Sequence, residues 1–161
     1  MTGGGTKEER SGRTRQILAD GARRLFGEQG YADTGTEDIV RQVGVTRGAL
    51  YRHFVDKRDL SEAVCVDLQD ELRDRILAAV GPPESDSIWV RIHRGTHEYL
   101  DPCMDATAQR VVLIDAPSVR GWSRWREFDA DYALGLLWRA RVGLARRASL
   151  PELPIPTCWH A

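Results

Sequence analysis

Lysine is almost missing from this sequence. Lys7 and Lys57 are the only two, and arginine supplies the rest of the 23 basic residues. Set against 24 acidic residues, they leave a net charge of −1. No bulk positive field advertises nucleic acid, so any contact with it must come from individually placed arginines. Cysteine is scarce too. Cys65, Cys103 and Cys158 are odd in number, far apart and free of any CxxC spacing, which fits a reducing cytoplasm rather than a disulfide framework. There is no long apolar run, which excludes a transmembrane helix and a membrane partner. The opening MTGGGTKEERSG is too polar for a secretory signal. No G-x-S-x-G, no P-loop and no dinucleotide fingerprint occurs. The few histidines have no paired nucleophile, so no catalytic residue is assigned, an enzyme is not expected and no cofactor is implied. No internal repeat is evident.

What is present is ordinary for a globular chain: 161 residues, 29% charged and 42% hydrophobic. That length suits one domain, or a small head fused to a body, and allows a real core. The charge is unevenly spread. Residues 1–60 hold 11 basic and 9 acidic residues, and the remainder 12 and 15.

The informative stretch is Thr36 to Phe54, TEDIVRQVGVTRGALYRHF. It reads as a helix from about Glu37 to Val43, a break at Gly44, an inward Val45, and a second short helix capped by the Thr46 hydroxyl. Leu50 and Phe54, four apart, share a face that can pack on Ile39 and Val43. Arg47, Gly48, Tyr51 and Arg52 share the other face, which has no apolar partner. A short helix anchored on one side and showing arginine, glycine and tyrosine on the other suits a DNA major groove. An ordinary antiparallel helix pair with a solvated face is the plainer alternative.

The flanks add to this. Leu25-Phe26, Gly30-Tyr31, Asp38-Ile39, Gly44-Val45-Thr46, Gly48-Ala49-Leu50-Tyr51, His53-Phe54, Lys57 and Leu60 fall in one register over roughly fifty residues without gaps. In this the chain resembles the tetracycline-repressor-like (TetR) family of transcription regulators. The resemblance implies an all-α fold: a three-helix DNA-binding head with a helix-turn-helix, then a helical ligand-binding and dimerisation bundle. Gln109 to Leu137 also resembles a body found in one branch of that family. Four positions depart from the pattern. The family usually has a hydroxyl residue where Gly35 stands, an apolar one where Thr36 stands, and alanine where Val40 and Val43 stand, so slightly altered packing is expected.

Residues 1–12 read as a disordered arm, 13–56 as the helix-turn-helix domain, 57–148 as the helical regulatory domain and 149–161 as an irregular Pro-rich tail. The first helix spans about Thr14 to Gln29, with Ile17, Leu18, Gly21 or Ala22, Leu25 and Phe26 on one face and Gly30 as its C-terminal cap. Either Thr34, through Thr34-x-x-Glu37, or Thr36 caps the next helix. A fourth helix from Lys57 to about Val80 carries Leu60, Val64, Leu68, Leu72, Ile76 and Val80 at steps of four. About 24 residues span roughly 36 Å, enough to join head to body. Gly81-Pro82-Pro83 stops it. The body should hold a helix from Asp86 to Leu100, another that Asp101-Pro102 starts and Ala116-Pro117 ends, with 111–114 a buried run, and a long one from Gly121 to Leu144. After Ala148, prolines at 151, 154 and 156 exclude helix, where the family usually continues with two more helices that form much of its dimer interface.

Arg47, near the start of the recognition helix, is the foremost candidate for base readout, because arginine pairs bidentately with guanine. Gly48 lets the helix backbone approach the groove. It costs ~1 kcal/mol of helix stability against alanine. Tyr51 matches the family's usual phosphate contact. Arg52, His53, Thr36, Thr46 and Arg15 are further DNA-binding candidates. Lys57, a cation in the first turn of a helix, opposes the helix dipole unless an anion comes to the same end. Trp89, His93, His97, Cys103, Met104, Trp122 and Trp125 are candidates to line a ligand cavity. His93, His97 and Asp101 step by four and could instead chelate a metal, but no metal site is assigned. The function expected is a sequence-specific DNA-binding regulator, a ligand-responsive repressor that binds a palindromic operator on double-stranded DNA as a homodimer. A shortened homologue acting as an interaction module, or a small metal-binding helical protein, are the rival readings.

Overall fold

The computed structural model describes residues 6–82 and 86–129. Every regular element among them is helical: α1 (Lys7–Gln29), α2 (Thr36–Val43), α3 (Arg47–His53), α4 (Lys57–Val80), α5 (Ile88–Cys103), α6 (Ala106–Ala108), a π-helical segment (Gln109–Asp115), α7 (Ala116–Arg120) and α8 (Trp122–Asp129). Among the described residues no helix is long and apolar enough to cross a membrane.

Helix α1 starts well before the expected Thr14, and residues 7–12 are helical rather than part of an arm. The reason is a capping box. The Thr6 hydroxyl accepts from the Glu9 amide at 3.2 Å, and the Glu9 carboxylate accepts from the Thr6 amide at 2.6 Å. Glu8 and Glu9 also place negative charge in the first turn, where the helix dipole favours it. The buried face of α1 is Leu18, Ala19, Ala22, Leu25 and Phe26, while Ile17 is 40% exposed. Gly30, at φ +90°, closes the helix with its amide on the Phe26 carbonyl.

Helices α2 and α3 pack on this face through Ile39, Val40, Leu50 and Phe54, joined by Leu60 and Val64 of α4. The crossing of α1 and α2 is close enough that a β-carbon on Gly21 would collide with Val43. Neither threonine caps α2. Gly35 is the N-cap, and the Asp38 carboxylate accepts from the Gly35 amide at 3.2 Å. The Thr34 hydroxyl is spent elsewhere: it is buried and donates to the Gly30 carbonyl at 2.8 Å, which fixes the turn between α1 and α2.

Helix α4 has the expected bounds. The Asp56 carboxylate caps it by accepting from the Asp59 amide at 2.8 Å, and Gly81, at φ +62°, ends it. Helix α5 lies along its far half, where Arg75 pairs with Glu98 at 2.9 Å and the Arg91 guanidinium donates to the Val80 carbonyl at 3.2 Å.

The body departs from expectation at its prolines. Asp101-Pro102 does not start a helix. α5 runs on to Cys103 and the chain restarts at Ala106, with the Asp105 carboxylate accepting from the Ala108 amide at 2.8 Å. Ala116-Pro117 likewise opens α7, because proline in the first turn sacrifices no intrahelical donor. Nor is 111–114 a buried run: Val111 is buried, but Leu113 and Ile114 are 47% and 61% exposed. Four consecutive residues of a helix sweep most of its circumference, so an apolar run in helical backbone cannot all face the core. The helix expected from Gly121 begins at Trp122. Its continuation beyond 129 and the Pro-rich tail lie outside the described residues.

Head and body share one core. Val111 and Ala116 are buried in the same cluster as Leu18, Phe26, Leu50 and Val64.

Candidate nucleic-acid interface

The N-terminal end of α3 is where the DNA candidates meet. The Thr46 hydroxyl accepts from the Ala49 amide at 3.1 Å and caps the helix, as its sequence position implied. Leu50 and Phe54 are wholly buried, which fixes the rotation of this short helix and turns Arg47, Gly48, Tyr51 and Arg52 outward. At Gly48 a β-carbon would meet nothing within 4 Å. The glycine is therefore not needed for packing inside this chain.

Arg47 is not loose. Its Nη1 pairs with Glu37 Oε1 at 2.8 Å, and its guanidinium lies 5.4 Å from the centre of the Tyr51 ring. The Thr36 hydroxyl foremost, then the Arg47 guanidinium, hold the Tyr51 phenol below its ordinary acidity range. Thr36, Glu37, Arg47 and Tyr51 thus form one exposed cluster across the two helices of the motif. Glu37 was not among the sequence candidates. Its apparent place in Thr34-x-x-Glu37 pointed to a capping role that Asp38 performs instead. Arg15 stands at the other end of α3, its guanidinium 4.8 Å from the centre of the Phe54 ring. Arg52 is exposed and His53 half-buried at the α3 C-terminus.

Lys57 is placed differently from expectation. Its Nζ donates to the Tyr31 carbonyl at 2.9 Å and the Thr34 carbonyl at 3.0 Å, and sits 4.2 Å from the centre of the Tyr31 ring. Two carbonyl dipoles and an aromatic face offset its poor position on the α4 dipole. The lysine ties the α1–α2 turn to α4, which is the role a phosphate was invoked to explain.

The ligand candidates are not brought together. Trp89 and Met104 are 77% and 81% exposed. His93 and His97 are exposed on α5 with ring centres 5.7 Å apart. Trp122 is exposed and stacks on Trp125 at 5.0 Å, while the Trp125 indole donates to the Val112 carbonyl at 2.9 Å. The Cys103 side chain lies outside those described. Periodicity shows which residues share a helix face, not which face the fold turns inward. Among the described residues no three His, Cys, Asp or Glu side chains converge on a metal position. A cavity of about 350 Å³ does open elsewhere, between α1, α4, α5 and the π-helical segment. Leu68, Gln69, Leu72, Tyr99 and Val112 are among its walls, and none of the six candidates whose side chains are described is.

Two family models match the chain: the bacterial regulatory protein, tetR family model over residues 18–64, and a tetracyclin repressor-like C-terminal domain over residues 89–158. A solved TetR-family transcriptional regulator from Pectobacterium atrosepticum is 33% identical. The match covers 89% of this chain and 72% of that one, with a TM-score of 0.69. This chain belongs to the TetR family. Its TetR head is the better matched part: the HTH-type transcriptional regulator AcrR of Shigella flexneri is 51% identical over 55 residues, 34% of this chain and 25% of that protein. The transposon Tn10 TetC protein of Escherichia coli is 27% identical over 122 residues, 76% of this chain and 60% of that protein. The chain therefore spans between a quarter and about three fifths of these two curated relatives. Among solved structures, a gamma-butyrolactone receptor (ArpA-like protein) is 26% identical, covers 81% of this chain and 71% of that one, and has a TM-score of 0.54.

Proposed function

We propose that this TetR-family chain is a ligand-responsive transcriptional repressor that binds a palindromic operator in the cytoplasm as a homodimer. The observation that carries the reading is the outward face of α3. A helix locked in rotation by Leu50 and Phe54 presents Arg47, an uncrowded Gly48 and Tyr51 together. In that arrangement Arg47 exchanges Glu37 for a guanine edge, and Gly48 lets the backbone come close to the groove. Tyr51, Thr36, Arg52 and Arg15 take backbone phosphates, with His53 at the margin. Two such helices would occupy half-sites about 34–36 Å apart, or a multiple of that spacing. A small effector in the body then weakens binding by changing the spacing or angle of the heads through α4. A solved relative named as a gamma-butyrolactone receptor supports a small-molecule effector.

Sedimentation of the purified chain with a labelled duplex from its own upstream region tests the assembly. A complex of two chains per duplex that weakens with salt is expected. A monomer with no preference over random DNA would instead favour an interaction module. Replacing Arg47 by alanine should cost ~1–3 kcal/mol on the operator and relax selectivity at one base pair. A uniform loss on all sequences, read by competition binding, would move Arg47 to the phosphate class.

A further inference from the structure

The cavity between head and body contains a polar group that no other described residue satisfies. Gln69 lies on α4, is 4% exposed and lines the cavity. Its carboxamide makes no hydrogen bond to another residue among those described. Every fully enclosed side-chain nitrogen or oxygen among the described residues does have a partner, so the Gln69 amide must open onto free space, and the space beside it is the cavity. An amide that opens onto a pocket of this size, near the lower end of the ~300–1,000 Å³ range for small-molecule sites, is placed to read a ligand.

The charges of the walls narrow the ligand. Two guanidiniums line the cavity and both are engaged: Arg23 with Glu71 at 2.5 Å, and Arg75 with Glu98 at 2.9 Å and Asp101 at 3.9 Å. Three carboxylate-bearing residues, Glu71, Asp101 and Asp105, line the same cavity. The excess is negative and no cation is spare, so an anion is disfavoured. Leu68, Leu72 and Val112 supply apolar wall.

We propose that this cavity binds a small, uncharged amphipathic molecule with adjacent hydrogen-bond donor and acceptor, an amide or lactam edge, and that Gln69 reads that edge. The proposal rests on the reading of the chain as a ligand-responsive regulator and adds the chemistry of its effector. Arg23 belongs to α1 and Glu71 to α4, so such a molecule touches both sides of the ion pair that joins the DNA-binding head to the connecting helix.

The test is calorimetric titration of the full chain with three bicyclic probes: carbostyril, a neutral lactam; quinoline, which lacks the paired edge; and quinaldate, an anion. Carbostyril should bind saturably, quinoline about tenfold more weakly, and quinaldate not at all. Gln69→Leu should lose about tenfold for carbostyril and leave quinoline unchanged. Ala108→Leu, which narrows the cavity and leaves Gln69 in place, should weaken both neutral probes and so serves if Gln69→Leu fails to fold. Absence of saturable carbostyril binding, equal binding by Gln69→Leu, unchanged binding by Ala108→Leu, or quinaldate binding as tightly as carbostyril each overturns the proposal. Binding to the upstream duplex is measured in parallel. Intact DNA binding without carbostyril binding sinks the ligand assignment alone. Carbostyril binding without DNA binding sinks the repressor reading and leaves the cavity.

Discussion

Gly21 and Val43 explain one departure from the family pattern that the sequence could register but not interpret. Valine stands where alanine is usual, and the added methyl groups need room. Gly21 provides it by having no β-carbon at the crossing of α1 and α2. Gly21→Ala should therefore destabilise the head by about 1–3 kcal/mol through overpacking, and Val43→Ala in the same chain should restore most of that loss. Urea denaturation of the two single variants and the double variant measures the coupling, and strict additivity would reject the pairing. Cys65 is a second case. Burial pushes its thiol from 9.0 up to about 11. The folded state thus keeps a proton that the unfolded chain gives up, and stability falls as pH rises from about 9 towards 11. Below 9 the thiol contributes no slope. Alkylation near neutral pH, followed by peptide mapping, should leave Cys65 unmodified until the protein unfolds; rapid modification of the folded chain would contradict its burial. Spacing had placed Val64 and Leu68 on the inner face of α4, but it could not say how completely Cys65 would be covered, because the covering group, Val111, is far away in sequence.

At the scale of elements, the head was legible and the body was not, for a physical reason. In α2, α3 and α4 the apolar period, the glycine breaks and the caps all act locally, so the order of residues nearly dictates the helices. The segment from Ala106 to Arg120 depends on partners elsewhere. The Asp115 carboxylate accepts from the Tyr31 amide at 2.8 Å, and the Arg110 guanidinium donates to the Glu28 carbonyl at 3.2 Å. Both contacts hold the end of α1, and the π-helical turn sets their phase. No periodicity foretells such a phase shift. The prolines misled in the same way: Pro102 reads as a start and Pro117 as a stop, yet Pro102 falls in the last turn of a helix and Pro117 in the first turn of one. Asp115→Ala should cost about 1–3 kcal/mol, since it leaves the Tyr31 amide without its acceptor. Asp115→Asn, which keeps a carbonyl oxygen in place, should cost less. Thermal melts of the two variants decide the matter, and equal losses would mean that the charge of Asp115 counts for more than its hydrogen bond.

Across the whole molecule, the shared core makes head and body one folding unit. Val111 and Ala116 complete a cluster that otherwise belongs to α1 through α4. All five tryptophans lie at or beyond residue 89, so indole fluorescence reports on the body, while far-ultraviolet dichroism reports on every helix. The two denaturation curves should coincide. A fluorescence midpoint clearly apart from the dichroism midpoint would show that the head unfolds on its own. Division into a head and a body, natural from the sequence because the helix-turn-helix is so recognisable, holds for function better than for stability.

The amine of Lys57 has a practical consequence. With only two lysines in the chain, and this one half-buried against two carbonyls and a tyrosine ring, the exposed Lys7 is the lysine that amine-directed dyes and cross-linkers will find first. Lys7 lies in the opening turn of α1, so a fluorophore coupled under mild conditions would report from the DNA-binding half of the molecule without disturbing the recognition helix.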